Sequence, residues 1–229
     1  MTTVLLWRHG RTEYNATLRI QGQIDIPLDD VGRWQAATAA PELLRAWTPD
    51  VIVSSDLGRA HATATFAAEL CGLPVLLDER LRERHFGEWE GMSGAEISAR
   101  DPEAYARWRA GGDTAALGTE QRTAVGARMA DAIDEHAAAA GPDGVVLLVS
   151  HGSAISLGTT AVLGQDPEGW RGFEGMANAH WAVLRRAHVS HAPGWRLRAY
   201  NVGPAVAAED WVDGRGPGGP YAEAEVTAV

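Results

Sequence analysis

Two histidines stand at the ends of apolar runs. Val4-Leu5-Leu6-Trp7 leads into Arg8-His9-Gly10, and Val145-Val146-Leu147-Leu148-Val149 leads into Ser150-His151-Gly152. Arg59 follows the run Val51-Ile52-Val53, and Glu83 follows Val75-Leu76-Leu77. These residue types share one chemistry. Guanidinium forks match phosphate oxygens in pairs and stay charged at any working pH. A neutral imidazole attacks phosphorus and can carry the phosphoryl group covalently. A second imidazole, positively charged beside the phosphate dianion, would stabilise the equatorial oxygens of the transition state. A carboxylic acid would then protonate the leaving alkoxide.

Such side chains act together only if the chain delivers them to one place. A short apolar run bounded by glycine reads as a buried parallel strand, and open α/β sheets build their sites at the carboxyl ends of strands. Strands are expected over 3–8, 51–53, 75–77 and 145–150, with two late ones at Trp181–Leu184 and Trp195–Arg198 joined by a turn at Pro193-Gly194. Between them the spacing predicts helices. Asp29 or Asp30 caps one running to Trp47, which Pro41 should kink or restart. Ser54-Ser55-Asp56 caps a second, with Arg59 in its first turn and Gly72 as its stop. A third runs from Thr119 to about Ala139 with Val125, Met129 and Ile133 on its apolar face, and a fourth from Ser153 to Leu163. Helices starting near Arg59 and after His151 would aim N–H groups and positive dipole ends at the same point.

Residues 93–117, broken by Pro102 and Gly111-Gly112, read as a small helical cap insertion over the cleft. The expected fold is a three-layer α/β/α sandwich with a mainly parallel central sheet. It forms one domain over residues 1–203, followed by a Gly- and Pro-rich, irregular tail over 204–229.

Hydrophobic residues make up 45% and charged residues 22% of the 229, the balance of a soluble globular chain. A net charge of −10 argues against nucleic-acid and anionic-membrane surfaces, though not against an anionic substrate in an arginine-lined cleft. Cys71 is the only cysteine, so no intrachain disulfide forms. No apolar run reaches membrane-spanning length, and a cytoplasmic location is expected. The tryptophan-rich late strands offer an edge that a homodimer could use.

Arg8-His9-Gly10-Arg11-Thr12-Glu13-Tyr14-Asn15 resembles the opening motif of the histidine phosphatase superfamily, also called phosphoglycerate mutase-like. Ser54-Ser55-Asp56-Leu57-Gly58-Arg59-Ala60 resembles its second motif. Leu81-Arg82-Glu83 with Phe86-Gly87-Glu88-Trp89 resembles its acid loop, and Ser150-His151-Gly152 its last motif. The resemblance covers roughly residues 3–202. It implies a metal-independent phosphomonoesterase with no cofactor, acting on a small phosphorylated metabolite. His9 would be the phosphorylated nucleophile and Glu83 the proton donor, with Arg8, Arg59 and His151 as the phosphate pocket. Asn15, Gln21, Gly22 and Gly152 would add phosphate and substrate contacts. Arg19–Asp25 and Gly175–Trp181 further resemble actinobacterial phosphatases that act on glucosyl-3-phosphoglycerate. One departure is Leu117-Gly118-Thr119-Glu120, where many relatives carry Gly-Gly-Glu-Ser.

Two other functions compete. A phosphomutase would return the phosphoryl group to its product, but the short, glycine-broken cap suits water entry better. A binding protein could keep the fold without the chemistry. Elsewhere, His188 and His191 read as a solvated turn rather than a metal site, and His61 and His136 as packing or surface residues. Trp89 and Trp108 could line the cleft beneath the cap. Arg107 and Arg109 are candidates for steering an acidic substrate. A serine hydrolase is disfavoured, because Gly152-Ser153-Ala154-Ile155-Ser156 lacks the second glycine of a nucleophile elbow. There is no phosphate-cradling loop ending in Gly-Lys-Ser/Thr.

Overall fold

A computed structural model describes residues 1–112, 117–187 and 194–222. One sheet runs through it, built from β1 (Thr3–Arg8), β2 (Val51–Ser54), β3 (Val75–Leu77), β4 (Val145–Ser150), β5 (Trp181–Arg186) and β6 (Trp195–Val202). Their order is β3-β2-β4-β1-β5-β6. The first four are parallel, while β5 lies antiparallel to β1 and β6 antiparallel to β5.

The apolar runs of β1 and β4 are explained by burial of both sheet faces, whereas β3, expected to be buried, is the edge strand and leaves Leu76 and Leu77 exposed. Val4, Leu6, Val146 and Leu148 face α6 (Arg122–Ala139) and α7 (Gly152–Val162). Leu5, Trp7, Leu147 and Val149 face α2 (Asp30–Ala46) and α3 (Gly58–Cys71). All eight side chains are fully buried. Each contributes about 1.5–3 kcal/mol of apolar burial, so neither face can slip in register without exposing a whole row. The connections β1–α2–β2 and β2–α3–β3 step one way across the sheet, and β3–α6–β4 steps back. Right-handed crossovers therefore place α2 and α3 on one face and α6 on the other.

Some local expectations change. Helix α2 is one continuous helix through Pro41, capped by Asp29, which accepts from the Gly32 amide at 2.7 Å. The lost backbone bond is outweighed by the packing of Ala39, Ala40 and Leu43 against the sheet. Asp56 does not cap α3, because its carboxylate is paired with Arg82. The Gly58 amide instead donates to Asp25 at 2.8 Å, across from the loop after β1. Gly72 ends α3 in the left-handed conformation, φ 68°. Helix α6 begins at Arg122, three residues later than expected.

The cap is α4 (Gly94–Arg100) and α5 (Pro102–Arg109), with its own small core of Trp89, Ile97 and Ala104. Trp89 is buried there with Trp108 edge-on at 5.7 Å, so Trp89 packs the cap core, while partly buried Trp108 also lines a cavity at the edge of the cap. Pro193 and the His188–His191 segment lie outside the described residues.

The tail is less irregular than its composition suggests. It contains α8 (Ala208–Asp213), whose Trp211 is buried against Trp34 at 4.9 Å and His180 at 5.6 Å. One indole carries enough apolar area to dock a segment that is otherwise polar. Its Nε1 donates to the Asn178 carbonyl at 2.9 Å. Trp211→Ala is therefore expected to lower the unfolding free energy by about 3–5 kcal/mol in urea titrations. A shift below about 0.5 kcal/mol would mean that α8 is an undocked surface helix.

Candidate active site

Arg8 pairs with Ser150 across β1 and β4, so the next residues, His9 and His151, leave the sheet side by side. Their ring centroids are 5.1 Å apart at an interplanar angle of 61°, and both are buried. His9 Nδ1 donates to its neighbour's carbonyl, Gly10 O, at 2.6 Å. In the neutral ring this leaves the lone pair on Nε2, the form a nucleophile needs. Burial, then the positive Arg59 and Arg8, push the His9 pKa well below the ordinary imidazole value. Gly10 itself packs so tightly on α2 that a Cβ there would overlap the Gly32 carbonyl.

His151 Nε2 lies 2.9 Å from Ser55 Oγ. Burial, then Arg59, His9 and Arg8, also hold this ring neutral. The positive His151 expected from the sequence thus requires an added negative charge beside it.

Arg59 emerges from the first turn of α3 and is completely buried. Its terminal nitrogens donate to Gly22 O at 2.7 Å and Ile24 O at 2.8 Å. Burial lowers its pKa to about 10, partly offset by Glu83 and Asp25, so it stays positive near neutrality. Arg8 donates to Met176 O. Three buried nitrogens of this group have no partner among the described residues: Arg8 Nε, Arg59 Nε and His151 Nδ1. An unpaired buried donor costs about 1–3 kcal/mol, and an anion in this pocket is the group that would satisfy such a set.

The Glu83 carboxylate sits at the head of α7. It accepts from the amides of Ser153 at 3.0 Å, Ala154 at 2.9 Å and Arg84 at 2.7 Å. It therefore shares the positive end of that helix with His151, the N-cap residue.

The four loop residues occupy different places. Gln21 is buried and accepts from the Thr12 hydroxyl at 2.8 Å. Asn15 closes a capping box with Thr12 on α1 (Glu13–Ala16), and its Oδ1 also accepts from Asn178 Nδ2 at 3.1 Å. Gly22 has φ +53°, which turns its carbonyl onto Arg59. Gly152 touches Arg8 so closely that a Cβ would come within 3.4 Å of Arg8 Nε.

Several supporting contacts have no signal in the sequence, although Asn178 and Ala179 fall within the Gly175–Trp181 stretch singled out above. Arg128 on α6 donates to the carbonyls of Arg80, Arg82 and Glu83 and to both oxygens of Glu120, locking the acid loop. Nothing local in the sequence marks its long-range partners. Asn178 Nδ2 and the Ala179 amide both donate to His9 O at 3.1 Å. Ala179 adopts φ 55°, a strained conformation for alanine, and its carbonyl accepts from Trp7 Nε1 at 2.9 Å.

The fold and this pocket define an α/β enzyme that works on a phosphoryl group. The chain belongs to the histidine phosphatase superfamily (branch 1), whose family model matches residues 4–202. It is a phosphoric monoester hydrolase. It is 41% identical over 217 residues to a glucosyl-3-phosphoglycerate phosphatase of Mycolicibacterium vanbaalenii, covering 89% of this chain and 96% of that protein. A protein of the same name from Mycobacterium tuberculosis is 40% identical over 220 residues, covering 90% and 97%. Among solved structures, a mycobacterial glucosyl-3-phosphoglycerate phosphatase complexed with VO3 superposes with a TM-score of 0.78 at 40% identity, covering 88% of this chain and 99% of that one. A phosphoserine phosphatase from Entamoeba histolytica, in complex with phosphoserine, gives 0.75 at 27% identity, covering 88% and 97%.

The two neutral histidines make a pH prediction. Below about pH 6.5 the unfolded chain takes up protons that the folded rings refuse, so stability is full above that value and declines as pH falls toward the lowered pKa values. Each histidine adds a limiting slope of about 1.4 kcal/mol per pH unit. Urea titrations between pH 7.5 and 5 should show this decline, and a His9→Gln/His151→Gln double variant should make it markedly shallower, leaving the smaller contribution of His180, whose pKa burial also lowers. The Asp78 carboxyl has a pKa of about 2 despite burial, because Arg80 and His136 hydrogen-bond to it, so it titrates below this window. An unchanged slope in the double variant would mean that the rings are protonated in the folded protein.

Proposed function

We propose that the chain hydrolyses glucosyl-3-phosphoglycerate, or a similar phosphorylated sugar acid, through a phosphohistidine on His9. The observation that carries the substrate class is the near-full-length similarity, about 40% identical, to phosphatases of that name. The observation behind the chemistry is His9, with Nδ1 bonded to Gly10 and Nε2 left as a base between two arginines.

In the first step His9 Nε2 attacks phosphorus, the bond to the ester oxygen breaks, and that oxygen takes a proton from the Glu83 carboxyl. Arg8 and Arg59 neutralise the phosphoryl oxygens. Entry of the dianion reverses the electrostatics around His151, which takes up a proton from solvent and becomes the positive imidazole that supports the equatorial oxygens, releasing that proton when phosphate departs. In the second step water attacks the phosphohistidine and returns a proton to Glu83. Inorganic phosphate leaves, and His9 is neutral again. Gln21, Asn15, Gly22 and Gly152 shape the pocket wall through their contacts with Thr12, Asn178, Arg59 and Arg8. No step calls on a metal ion. We place the reaction in the cytoplasm, and a homodimer through the late strands is part of the same proposal. Among the described residues no helix is long and apolar enough to cross a membrane.

His9→Ala should lower turnover on the order of a thousandfold or more, with the fold retained. Glu83→Gln should damage alkyl phosphates far more than p-nitrophenyl phosphate, whose leaving group needs little protonation. Equal losses on the two esters would give Glu83 another role.

Incubation with 3-phosphoglycerate should release inorganic phosphate without a bisphosphoglycerate requirement and in the presence of EDTA. Rapid formation of 2-phosphoglycerate with little free phosphate would identify a mutase instead. Loss of activity in EDTA, restored by a divalent cation, would contradict the histidine mechanism.

A further inference from the structure

A second arginine cluster lies outside the catalytic group. A cavity of about 390 Å³ opens between the end of α5 and the loop after α7, lined by Trp108, Arg109, Ala110, Gly111, Arg122 and Arg171. Arg122 stands in the first turn of α6 and is half-buried. Its Nε donates to Pro167 O at 2.9 Å, and its terminal nitrogens have no hydrogen bond among the described residues. Arg171 donates to the carbonyls of Pro167, Trp170 and, across the gap to the cap, Gly111 at 2.9 Å. Behind them lies buried Arg84, whose Nε donates to Glu120 O at 2.7 Å.

The charges here are poorly matched. Burial, then Arg171 and Arg84, depress the Arg122 pKa to about 10, and Glu168 is the acid that opposes them. Glu120 is taken by Arg128. Of the two cap arginines expected to steer substrate, Arg109 lines this cavity and Arg107 does not.

The cavity and the catalytic pocket share two chain segments. Arg84 follows Glu83 directly, with the carboxylate turned to α7 and the guanidinium toward Thr119 and Glu120. The loop carrying Arg171 runs on to Met176, which holds Arg8, and to Asn178, which holds the His9 carbonyl.

We infer that this cavity receives the carboxylate of the leaving group through Arg122 and Arg171, and so makes the enzyme prefer phosphorylated sugar acids to neutral polyol phosphates. The inference rests on the phosphatase reading above. A guanidinium whose terminal nitrogens have no partner among the described residues, in a partly desolvated wall, suits a carboxylate, because charge-assisted pairs strengthen as water is excluded. A purely structural role for these arginines, clipping the loop to the cap, would affect every substrate alike.

The test compares 3-phosphoglycerate with glycerol 3-phosphate, which has a hydroxymethyl group in place of the carboxylate. The wild-type protein should favour the acid in kcat/KM. In Arg122→Gln the ratio of the two kcat/KM values should fall about tenfold, mainly through KM, with partial recovery in Arg122→Lys. Arg171→Gln serves as the second variant and should move the ratio in the same direction. A wild-type enzyme with no preference for the acid, or an unchanged ratio in both Gln variants, would overturn the inference. If no ester, p-nitrophenyl phosphate included, releases phosphate, then the phosphatase reading falls. Calorimetric affinities of wild type and Arg122→Gln for the two esters then decide the cavity separately, and equal affinities for both esters in the wild type would sink it.

Discussion

The parallel register of β1 against β4 is the constraint on which the site depends. Because Arg8 lies opposite Ser150, the two following residues leave the sheet as neighbours, and two imidazoles far apart in sequence share one buried spot. That register is held by rows of Val, Leu and Trp buried on both faces, so a slip of one residue would exchange the faces and expose both rows. The sheet core is thus the rigid mount for the chemistry. Rigidity matters because in-line attack on phosphorus requires its partners to be placed to within a fraction of an ångström.

Burial at that spot does two kinds of work. It denies protons to His9 and His151, helped by Arg8 and Arg59, and so keeps a lone pair on His9 Nε2. It also leaves guanidinium and imidazole nitrogens short of partners. Both effects lower the stability of the pocket by itself, and both are relieved by a dianionic phosphoryl group. Strain at a functional site has that logic: the surrounding fold holds in place what the site alone would not adopt. Ala179 shows the same pattern in the backbone, held at positive φ by its bonds to His9 and Trp7.

A support layer around the pocket ties distant segments together. Arg128 gathers three carbonyls of the acid loop from α6, and Asn178 links the His9 carbonyl to Asn15. Trp211 reaches from the tail to the Asn178 carbonyl. These groups bond mainly to backbone carbonyls, which any residue presents whatever its side chain. Their sequence neighbourhoods therefore carry no sign of the contact.

The sequence by itself determined the strands: the unbroken apolar runs of β1, β2 and β4 mark central strands, although the same kind of run in β3 lies at the sheet edge and leaves Leu76 and Leu77 exposed. It also determined which residues could form the pocket, since Arg8, His9, Arg59 and His151 lie at strand ends or in a helix first turn, positions readable from local pattern, and Glu83 lies in the loop that follows β3. The helix through Pro41, the capping of α3 by Asp25 rather than Asp56, and the docking of α8 by Trp211 were decided only by tertiary structure. In each case a long-range contact outweighed a local preference of about the same size or smaller. The protonation states of the two histidines also belong to the tertiary structure. Apart from Arg8, the sequence neighbour of His9, they follow from desolvation and from an arginine on another element, Arg59, and a sequence contains neither the burial nor that distance.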